Sequence, residues 1–156
     1  MITTILNVYR RPYYLPEQIA ALRNQTIKTS EIWLWINDHE DNRSFDYDSL
    51  GVDKIIRSNY NFKYHGRFTL ALLAQTPFVS VFDDDTIPGD MWYENCINTM
   101  KTTNGILGGA GIILNSKQYA NHERVGWPSQ NLTTTRVDLV GHAWFIPKKS
   151  INVMWN

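Results

Sequence analysis

Short runs of apolar residues alternate along the chain with segments in which apolar residues recur at helical spacing. Strands are predicted wherever a β-prone run is bounded by polar turns, at residues 3–8, 31–36, 52–56, 78–82, 112–114 and 137–146. Helical spacing predicts three helices, one following Pro16, one over residues 68–74 that ends before Pro77, and one over residues 93–100. The chain therefore begins as a strand, a helix and a second strand.

The alternation of strands and helices predicts the α/β class, with a mainly parallel sheet flanked by helices. At 156 residues the chain is long enough for one core and short for two, so we expect residues 1–156 to form a single domain. Sheets of this kind bind their ligands beyond the carboxyl ends of the strands. The search for a functional site therefore begins with the residues that follow each predicted strand.

Composition narrows the classes of partner. The 15 Lys and Arg residues balance the 15 Asp and Glu residues, so nucleic acid is not an expected partner. Nowhere do about 18 apolar residues occur in succession, and we expect no transmembrane segment. Cys96 is the only cysteine and has no companion for a disulfide or a zinc site, which favours a cytoplasmic location.

Polar residues follow three of the predicted strands. They are Asn7, Tyr9 and Arg10 at the first strand, Asn37, Asp38 and His39 at the second, and Asp83, Asp84 and Asp85 after the strand at residues 78–82. Because the carboxyl ends of parallel strands meet at one edge of a sheet, we expect these side chains to converge on a single crevice.

The three adjacent carboxylates are the most distinctive of these residues. At the rim of an apolar strand, Asp83, Asp84 and Asp85 repel one another and cost stability unless a cation or strong donors compensate them. A divalent metal ion is the compensation that we expect. A solvated acidic turn is the alternative, because Asp is common before a turn such as Pro88-Gly89. The apolar strand that precedes the triplet favours the metal site.

The segment VSVFDDDT at residues 79–86 resembles the DxD motif of glycosyltransferases with the GT-A fold, especially family-2-like enzymes and exostosin-type hexosaminyltransferases. Three further segments follow the family's order. TILNVYRRP at residues 4–12 is similar to its first strand and Tyr-Asn-Arg type continuation, and EIWLWIND at residues 31–38 to its second strand. NFKYHGRF at residues 61–68 is similar to the stretch before the helix that leads to DxD. The resemblance covers nearly the whole chain and implies the GT-A fold.

The resemblance implies a metal-dependent glycosyltransferase that moves a hexose-type sugar from a UDP-sugar donor to a hydroxyl of a saccharide acceptor. The donor-binding half would span about residues 1–90 and the acceptor half about residues 91–156. The implied cofactor is Mn²⁺ or Mg²⁺, bound by Asp85 with Asp83, and a hard cation beside a basic side chain suits a leaving diphosphate. The implied donor residues are Val8, Tyr9, Arg10, Asn37 and Asp38 for the base and ribose, Asn61, His65 and Arg67 for the diphosphate, and Asp83 and Asp84.

The acceptor side is less clearly marked. Gly108 and Gly109 would permit close approach of a sugar, although glycines so placed are as often simple bends. Residues 115–136, which include Trp127, are polar and aromatic and suit a mobile loop over a saccharide or a surface excursion. His142 lies in a segment that resembles the family's acceptor-lining strand, where it faces the sugar or is a core histidine.

The catalytic base is the main departure from the family pattern. The usual Glu-Asp or Asp-Asp type motif does not follow Asp138, so we expect this chain to lack the C-terminal part of the domain; otherwise Asp138 or His142 takes the proton. Two alternative functions stay open. One is a non-catalytic nucleotide-sugar-binding module, and the other is a metal-dependent phosphatase of the haloacid-dehalogenase type, whose acidic motif residues 83–86 distantly resemble.

Overall fold

The structure, a computed structural model, describes residues 1–153. Short 3-10 turns occur at Pro12–Tyr14, Glu40–Asn42 and Asp48–Leu50. The helices and strands are, in chain order, β1 (Ile2–Val8), α1 (Leu15–Arg23), β2 (Glu31–Ile36), β3 (Lys54–Arg57), α2 (His65–Ala71), β4 (Phe78–Phe82), α3 (Trp92–Met100), β5 (Leu107–Leu114), β6 (His122–Val125), β7 (Leu139–Pro147) and α4 (Lys148–Val153).

All of the strands belong to one seven-stranded sheet with the order β3-β2-β1-β4-β7-β5-β6. The first four positions are parallel, because β1 pairs in parallel with both β2 and β4, and β2 with β3. Strand β7 runs antiparallel to β4, and β5 and β6 continue the antiparallel part. The predicted α/β class is confirmed, and the sheet is mixed because its second half consists of strands that return beside β4.

Alternate residues of the central strand β1 belong to two different hydrophobic clusters. Leu6 and Val8 pack with Ile19 of α1 and Tyr93 of α3. Ile5, from the intervening position, belongs to the second cluster, which also contains Leu70 of α2 and Ile151 of α4. Since successive side chains of a strand point to opposite faces, α1 and α3 cover one face of the sheet and α2 and α4 the other. All seven residues of β1 are buried, which places its carboxyl end at the centre of one sheet edge.

Several elements differ from their sequence predictions: α4 was not predicted, β5 begins at Leu107 rather than residue 112, and β6 and α2 differ as follows. Strand β6 lies inside residues 115–136, which were predicted to form a loop, and pairs with β5 through His122 to Val125. Its four residues are polar or half-exposed, so the strand carries no apolar pattern. Helix α2 begins at His65 rather than residue 68, and a Cβ at Gly66 would lie only 2.3 Å from Trp35 Cε2. The close packing of α2 on β2 requires glycine there.

None of the helices in residues 1–153 is long and apolar enough to span a membrane.

Candidate functional site

The carboxyl ends of β1, β2 and β4 are adjacent in the sheet, and the polar residues that follow these strands meet there. β1 lies between the other two, so the segment after Val8 is next to the acidic triplet on one side and to Asn37 on the other. The backbone N–H of Tyr9 donates to Asp84 Oδ2 at 2.9 Å. The backbone N–H of Asn37 donates to the carbonyl of Val8 at 3.0 Å. The predicted convergence of three strand ends is therefore present.

The carboxylates of the triplet are compensated by arginine side chains. Arg11 bridges two of them, with Nη2 at 2.9 Å from Asp84 Oδ1 and Nη1 at 2.9 Å from Asp85 Oδ2. The side chain of Asp84 is only 5% exposed, whereas that of Asp85 is 43% exposed. Burial raises the pKa of Asp84, although the Tyr9 amide and Arg11 oppose this rise. Asp84 therefore lies within the protein and Asp85 faces solvent.

Arg67 is the second guanidinium of the site. Its Nη1 contacts Asp83 Oδ1, and its side chain is 4% exposed. The guanidinium carbon lies 5.4 Å from the ring centroid of Trp144 and 5.4 Å from that of Tyr64. Burial lowers the pKa of Arg67, while Tyr64 and the neighbouring carboxylates raise it. Arg67 Nε is buried and has no hydrogen-bond partner within the described structure, so this guanidinium has an unused donor.

Hydrogen bonds from helix α1 fix the acidic turn. Gln18, which is 0% exposed, donates from Nε2 to the carbonyls of Asp83 at 2.7 Å and of Thr86 at 2.8 Å. Seven residues further on, just after the end of α1, Gln25 donates from Nε2 to the carbonyl of Gly89 at 2.7 Å. Its Oε1 accepts from the backbone N–H of Tyr93 at 3.2 Å. These buried amide donors fix the path of the backbone that carries the carboxylates, while Gln18 Oε1 has no hydrogen-bond partner within the described residues.

Asn37 connects the ends of β1 and β2. It is 1% exposed, and its Nδ2 donates to Asn7 Oδ1 at 3.0 Å. Its Oδ1 accepts from Trp35 Nε1 at 3.1 Å and from the backbone N–H of Phe62 at 3.2 Å. The polar atoms of Asn37 are thus occupied by the protein itself. Among the residues predicted for the base and ribose, Val8 is likewise buried, so only its backbone borders the site.

The remaining residues at these strand ends border two clefts. One cleft of about 670 Å³ is lined by Tyr9, Arg10, Arg11, Pro12, Tyr13 and Asp41. A second of about 240 Å³ includes Asp38 and His39 in its lining. His39 packs edge-on against Tyr9, with 5.2 Å between ring centroids. Asp38, at 42% side-chain exposure, lies 3.5 Å from Arg43. Tyr9 of the first cleft thus contacts His39 of the second.

Asn61 and His65 lie in the segment that leads into α2. Asn61 Oδ1 accepts the backbone N–H of Lys63 at 2.8 Å, and Lys63 has φ of 52°. This local bond stabilises a conformation that is uncommon for residues other than glycine. His65 is exposed at the first position of α2, two residues before Arg67. The structure thus places His65 in solvent and Arg67 against Asp83.

The predicted acceptor residues lie together where β5 and β7 pair irregularly. The register shifts between Gly108 and Ala110, so that His142 and Ala143 both oppose Gly109. Both bulged residues have positive φ, 49° for His142 and 66° for Ala143. A Cβ at Gly109 would lie 2.8 Å from the His142 carbonyl, which explains glycine there. Bulges of this kind re-aim side chains and are common beside functional sites.

Trp127 extends this group of residues toward solvent. It is 53% exposed, and its ring stacks on that of His142 at a centroid distance of 6.1 Å and an interplanar angle of 20°. The guanidinium of Arg124 lies 5.3 Å from the Trp127 ring centroid. Because Trp144 pairs with Val81, the neighbouring bulge at His142 lies toward the end of β4 that carries the triplet. His142 is exposed and is not a core histidine.

Asp138 has a different environment from His142. Its Oδ2 accepts the backbone N–H of Leu114 at 2.8 Å, and its own N–H donates to the carbonyl of Ile112 at 2.9 Å. These bonds close the junction between β5 and β7. The structure therefore uses the Asp138 carboxylate to hold the entry of β7.

Asp85 is the carboxylate of the triplet that is most open to a ligand from solvent. Its Oδ1 has a single long contact, 3.4 Å from Thr86 Oγ1, and its side chain is substantially exposed. Within residues 1–153, no group of three or more His, Cys, Asp or Glu side chains is arranged to hold a metal ion alone. Mg²⁺ sites commonly combine one or two carboxylates with substrate phosphates. Asp85 fits such a site, and the metal stays a prediction.

Two residues that shape the site were not among the predicted ones. Arg11 lies within the segment 4–12 that resembles the family's Tyr-Asn-Arg continuation, so a signal for it existed. Gln18 lies on α1, where its burial could not be read from the apolar spacing of that helix. Its contacts cross 65 residues of sequence, and only the folded chain brings it to the Asp83 carbonyl.

The sheet has a parallel half with polar residues at its carboxyl edge, and antiparallel strands continue it beside the acidic triplet. This arrangement is that of the GT-A class of α/β fold. The chain matches the family described as Glycosyl transferase family 2 over residues 3–151. This protein therefore belongs to glycosyl transferase family 2, and the predicted family resemblance is confirmed.

The solved structures with a similar fold include two that illustrate the range of coverage. Residues 1–349 of TarS from S. aureus give a TM-score of 0.53 at 15% identity, over 72% of this chain and 34% of that one. The 4-diphosphocytidyl-2C-methyl-D-erythritol synthase from Anaerococcus prevotii DSM 20548 gives 0.53 at 16% identity, over 99% of this chain and 74% of that one. These likenesses concern the fold alone. The aligned part spans about a third of the TarS chain. No curated protein matches the sequence.

Proposed function

We propose that this chain is the donor-binding part of a glycosyltransferase that binds a UDP-sugar with Mn²⁺ or Mg²⁺ and transfers a hexose-type sugar to a saccharide hydroxyl. The observation that carries the proposal is the position of the acidic triplet. In a chain of glycosyl transferase family 2, Asp83, Asp84 and Asp85 follow β4 beside the ends of β1 and β2. Donor binding would be the task of about residues 1–90.

The base and ribose would lie where Tyr9 of the first cleft contacts His39 of the second. Tyr9 offers a 36% exposed ring there, and Asp38 offers a carboxylate that can accept a hydrogen bond from a base or a ribose hydroxyl. Arg10 lines the larger cleft and pairs with Asp41 at 3.1 Å. Asn37 would act indirectly, since its amide fixes the two strand ends.

The diphosphate would lie against the triplet. The buried Arg67 has an unused Nε and supports a positive potential beside Asp83, while His65 and Asn61 border the same entrance to α2. When bound, a divalent cation would neutralise charge on the leaving diphosphate. Asp85, with Asp83, would hold it, and Asp84 would position the turn through its bonds to Tyr9 and Arg11.

The acceptor saccharide would approach from the β5–β7 side. The exposed face of Trp127 suits stacking with a sugar ring. The backbone at Gly109 is exposed to solvent, whereas Gly108 is half-buried against Val140 and Ala143. His142 is the better placed of the two base candidates, because Asp138 is engaged by the Leu114 amide. A partner protein that supplies the base is the alternative, as in a nucleotide-sugar-binding module.

The test is calorimetric titration of UDP, and then UDP-glucose, into the metal-free protein with and without Mn²⁺. We expect binding that depends on Mn²⁺ and that weakens about tenfold or more in Asp85→Asn, because charged oxygen ligands dominate such sites. Asp90→Asn, an exposed residue five positions further on, removes the same charge and serves as the matched control. Absence of UDP binding in the presence of Mn²⁺ would refute the proposal.

A transfer assay separates the enzyme from the binding module. Incubation with UDP-hexoses, Mn²⁺ and a panel of saccharide acceptors should give glycosylated product if this chain carries its own base. UDP-sugar binding without transfer at high acceptor concentration would favour a nucleotide-sugar-binding module.

A further inference from the structure

Arg11 holds two carboxylates with very different surroundings. The Asp84 half of the bridge is inside the protein, where Asp84 also accepts the Tyr9 amide. The Asp85 half is in contact with solvent, since both side chains are 43% exposed. An ion pair with a buried carboxylate is costly to break, whereas exposed pairs contribute about 0–1 kcal/mol. The contact with Asp85 is therefore the one that can be exchanged.

The guanidinium of Arg11 competes for the oxygen atoms of the candidate metal ligand. Nη1 lies 2.9 Å from Asp85 Oδ2, and a cation bound to both oxygens of Asp85 would meet this donor at close range. Two positive charges within about 4 Å repel strongly even at an effective dielectric constant near 20. Binding of a divalent cation at Asp85 therefore favours movement of Arg11 away from that carboxylate.

A second partner for the Arg11 guanidinium would be a phosphate group in the neighbouring cleft. It lines the cleft of about 670 Å³ together with Tyr9 and Arg10, next to where the donor is proposed to bind. A guanidinium forms paired hydrogen bonds to phosphate as readily as to a carboxylate. Arg10 is already paired with Asp41 and contacts none of the three carboxylates of the triplet. Of these two adjacent arginines, Arg11 is the one that links the triplet to the cleft.

We propose that Arg11 exchanges partners during donor binding, holding Asp85 in the free protein and the donor diphosphate once a divalent cation occupies Asp85. This inference rests on the proposed function. It requires Arg11 to have opposite effects on two ligands. Arg11 weakens the binding of the cation alone, and it strengthens the binding of a nucleoside diphosphate in the presence of the cation.

The experiment measures both affinities in wild-type protein and in Arg11→Gln, which is similar in shape and uncharged. Binding of Mn²⁺ alone is followed by the loss of its free electron paramagnetic resonance signal, and UDP is titrated by calorimetry at saturating Mn²⁺. We expect Arg11→Gln to bind Mn²⁺ about fivefold more tightly, because a nearby positive charge is removed, and UDP about tenfold more weakly.

Arg10→Gln is the control for the cation measurement. It removes the same charge one residue away and breaks only the pair with Asp41, so its affinity for Mn²⁺ alone should change less than about twofold, as exposed charges are screened. Equal effects of the two substitutions would assign the change to net charge and overturn the inference. So would an Arg11→Gln protein whose Mn²⁺ affinity equals or falls below that of wild type.

A second variant keeps the inference testable if Arg11→Gln does not fold. Arg11→Lys retains the charge that Asp84 needs but cannot bridge two carboxylates with a single ammonium group. We expect tighter Mn²⁺ binding than in wild type, by about twofold or more on the scale of exposed ion pairs, and unchanged affinity would contradict the exchange. If UDP binds to no variant, the proposed function fails, while the Mn²⁺ measurement still decides whether Arg11 opposes a cation at Asp85.

Discussion

At the scale of single residues, the acidic triplet contains three carboxylates with separate tasks. Asp83 pairs with the buried Arg67, Asp84 is enclosed with two donors, and Asp85 is open to solvent. Adjacent residues in sequence therefore differ in burial because the backbone turns sharply between them. The solvent-facing carboxylate is available to a ligand, and the enclosed one stabilises the turn.

The enclosed carboxylate gives a pH-dependent prediction. Burial raises the pKa of Asp84 above its ordinary 3.8, so the folded state binds this proton more tightly than the unfolded state does. Its contribution to stability is then greatest at low pH and falls as pH rises from about 4 through the folded-state pKa. We expect the free energy of unfolding of wild type, relative to Asp84→Asn, to decrease across that window in urea titrations. A difference that is constant or increases with pH would contradict this.

The sequence identifies the acidic triplet, but it does not show which positive side chains balance its charge. The DDDT segment after an apolar strand predicted a site at this strand end, with a metal ion as its counter-charge. The structure pairs the triplet with Arg11 and Arg67, which lie 74 residues before Asp85 and 16 before Asp83, and a metal ion at Asp85 stays a prediction. Such pairings depend on the crossing of distant strands, and residue types alone do not encode them.

At the scale of elements, two glutamines from α1 and its C-terminal end hydrogen-bond the backbone of the acidic turn and of the segment that follows it. Gln18 lies within α1, and Gln25 lies seven positions later, two residues after the helix ends. Both are 0% exposed. Gln18 reaches the part of the turn that carries the carboxylates, whereas Gln25 reaches the start of α3. The two glutamines thus have the same kind of environment but different distances from the proposed donor.

This pair allows a matched test of positioning. Gln18→Met and Gln25→Met should each reduce the free energy of unfolding by about 1–3 kcal/mol, because buried carbonyls lose a donor. Only Gln18→Met should also weaken Mn²⁺-dependent UDP binding, by about fivefold or more if the turn shifts. Stability is measured by urea unfolding and affinity by calorimetry. Equal losses of UDP affinity in the two variants would indicate general destabilisation instead.

The strands that form the centre of the fold were the best predicted elements. β2 and β4 have the predicted bounds because each is an apolar run that is buried on both faces. The beginning of α2 was missed because its first residues, His65 to Arg67, are polar or glycine, and the burial of Arg67 results from contacts with Asp83 and aromatic rings. β6 was missed because an exposed edge strand needs no apolar face.

At the scale of the whole molecule, one sheet joins the proposed donor and acceptor sides. β4 pairs with β1 on the proposed donor side and with β7 on the proposed acceptor side, so this one strand lies between the two. The order of the sequence segments was enough to predict the GT-A class. Strands were predicted at residues 112–114 and 137–146, but the antiparallel pairing was not, and the glycine-rich first part of β5 carries no apolar run that would predict a strand.

The reactivity of the Cys96 thiol tests whether α3 is packed against the sheet. It is 4% exposed between α3 and the sheet, and burial raises the pKa of its thiol to about 12. We expect its reaction with a disulfide reagent such as dithiobis-nitrobenzoate at pH near 8 to be at least about 1,000-fold slower than in urea-unfolded protein, because the thiol must first be exposed. Labelling at the unfolded rate under native conditions would contradict the packing of α3.

The most direct test of the account is a crystal structure of the protein with UDP and Mn²⁺, in which the anomalous signal of manganese locates the cation. We predict manganese at the Asp85 carboxylate, the diphosphate between it and the guanidinium groups of Arg11 and Arg67, and the uridine at the junction of Tyr9 and Asp38. Manganese and uridine bound away from the carboxyl ends of β1, β2 and β4, or an unchanged site at saturating UDP and Mn²⁺, would contradict the assignment of this edge as a nucleotide-sugar site.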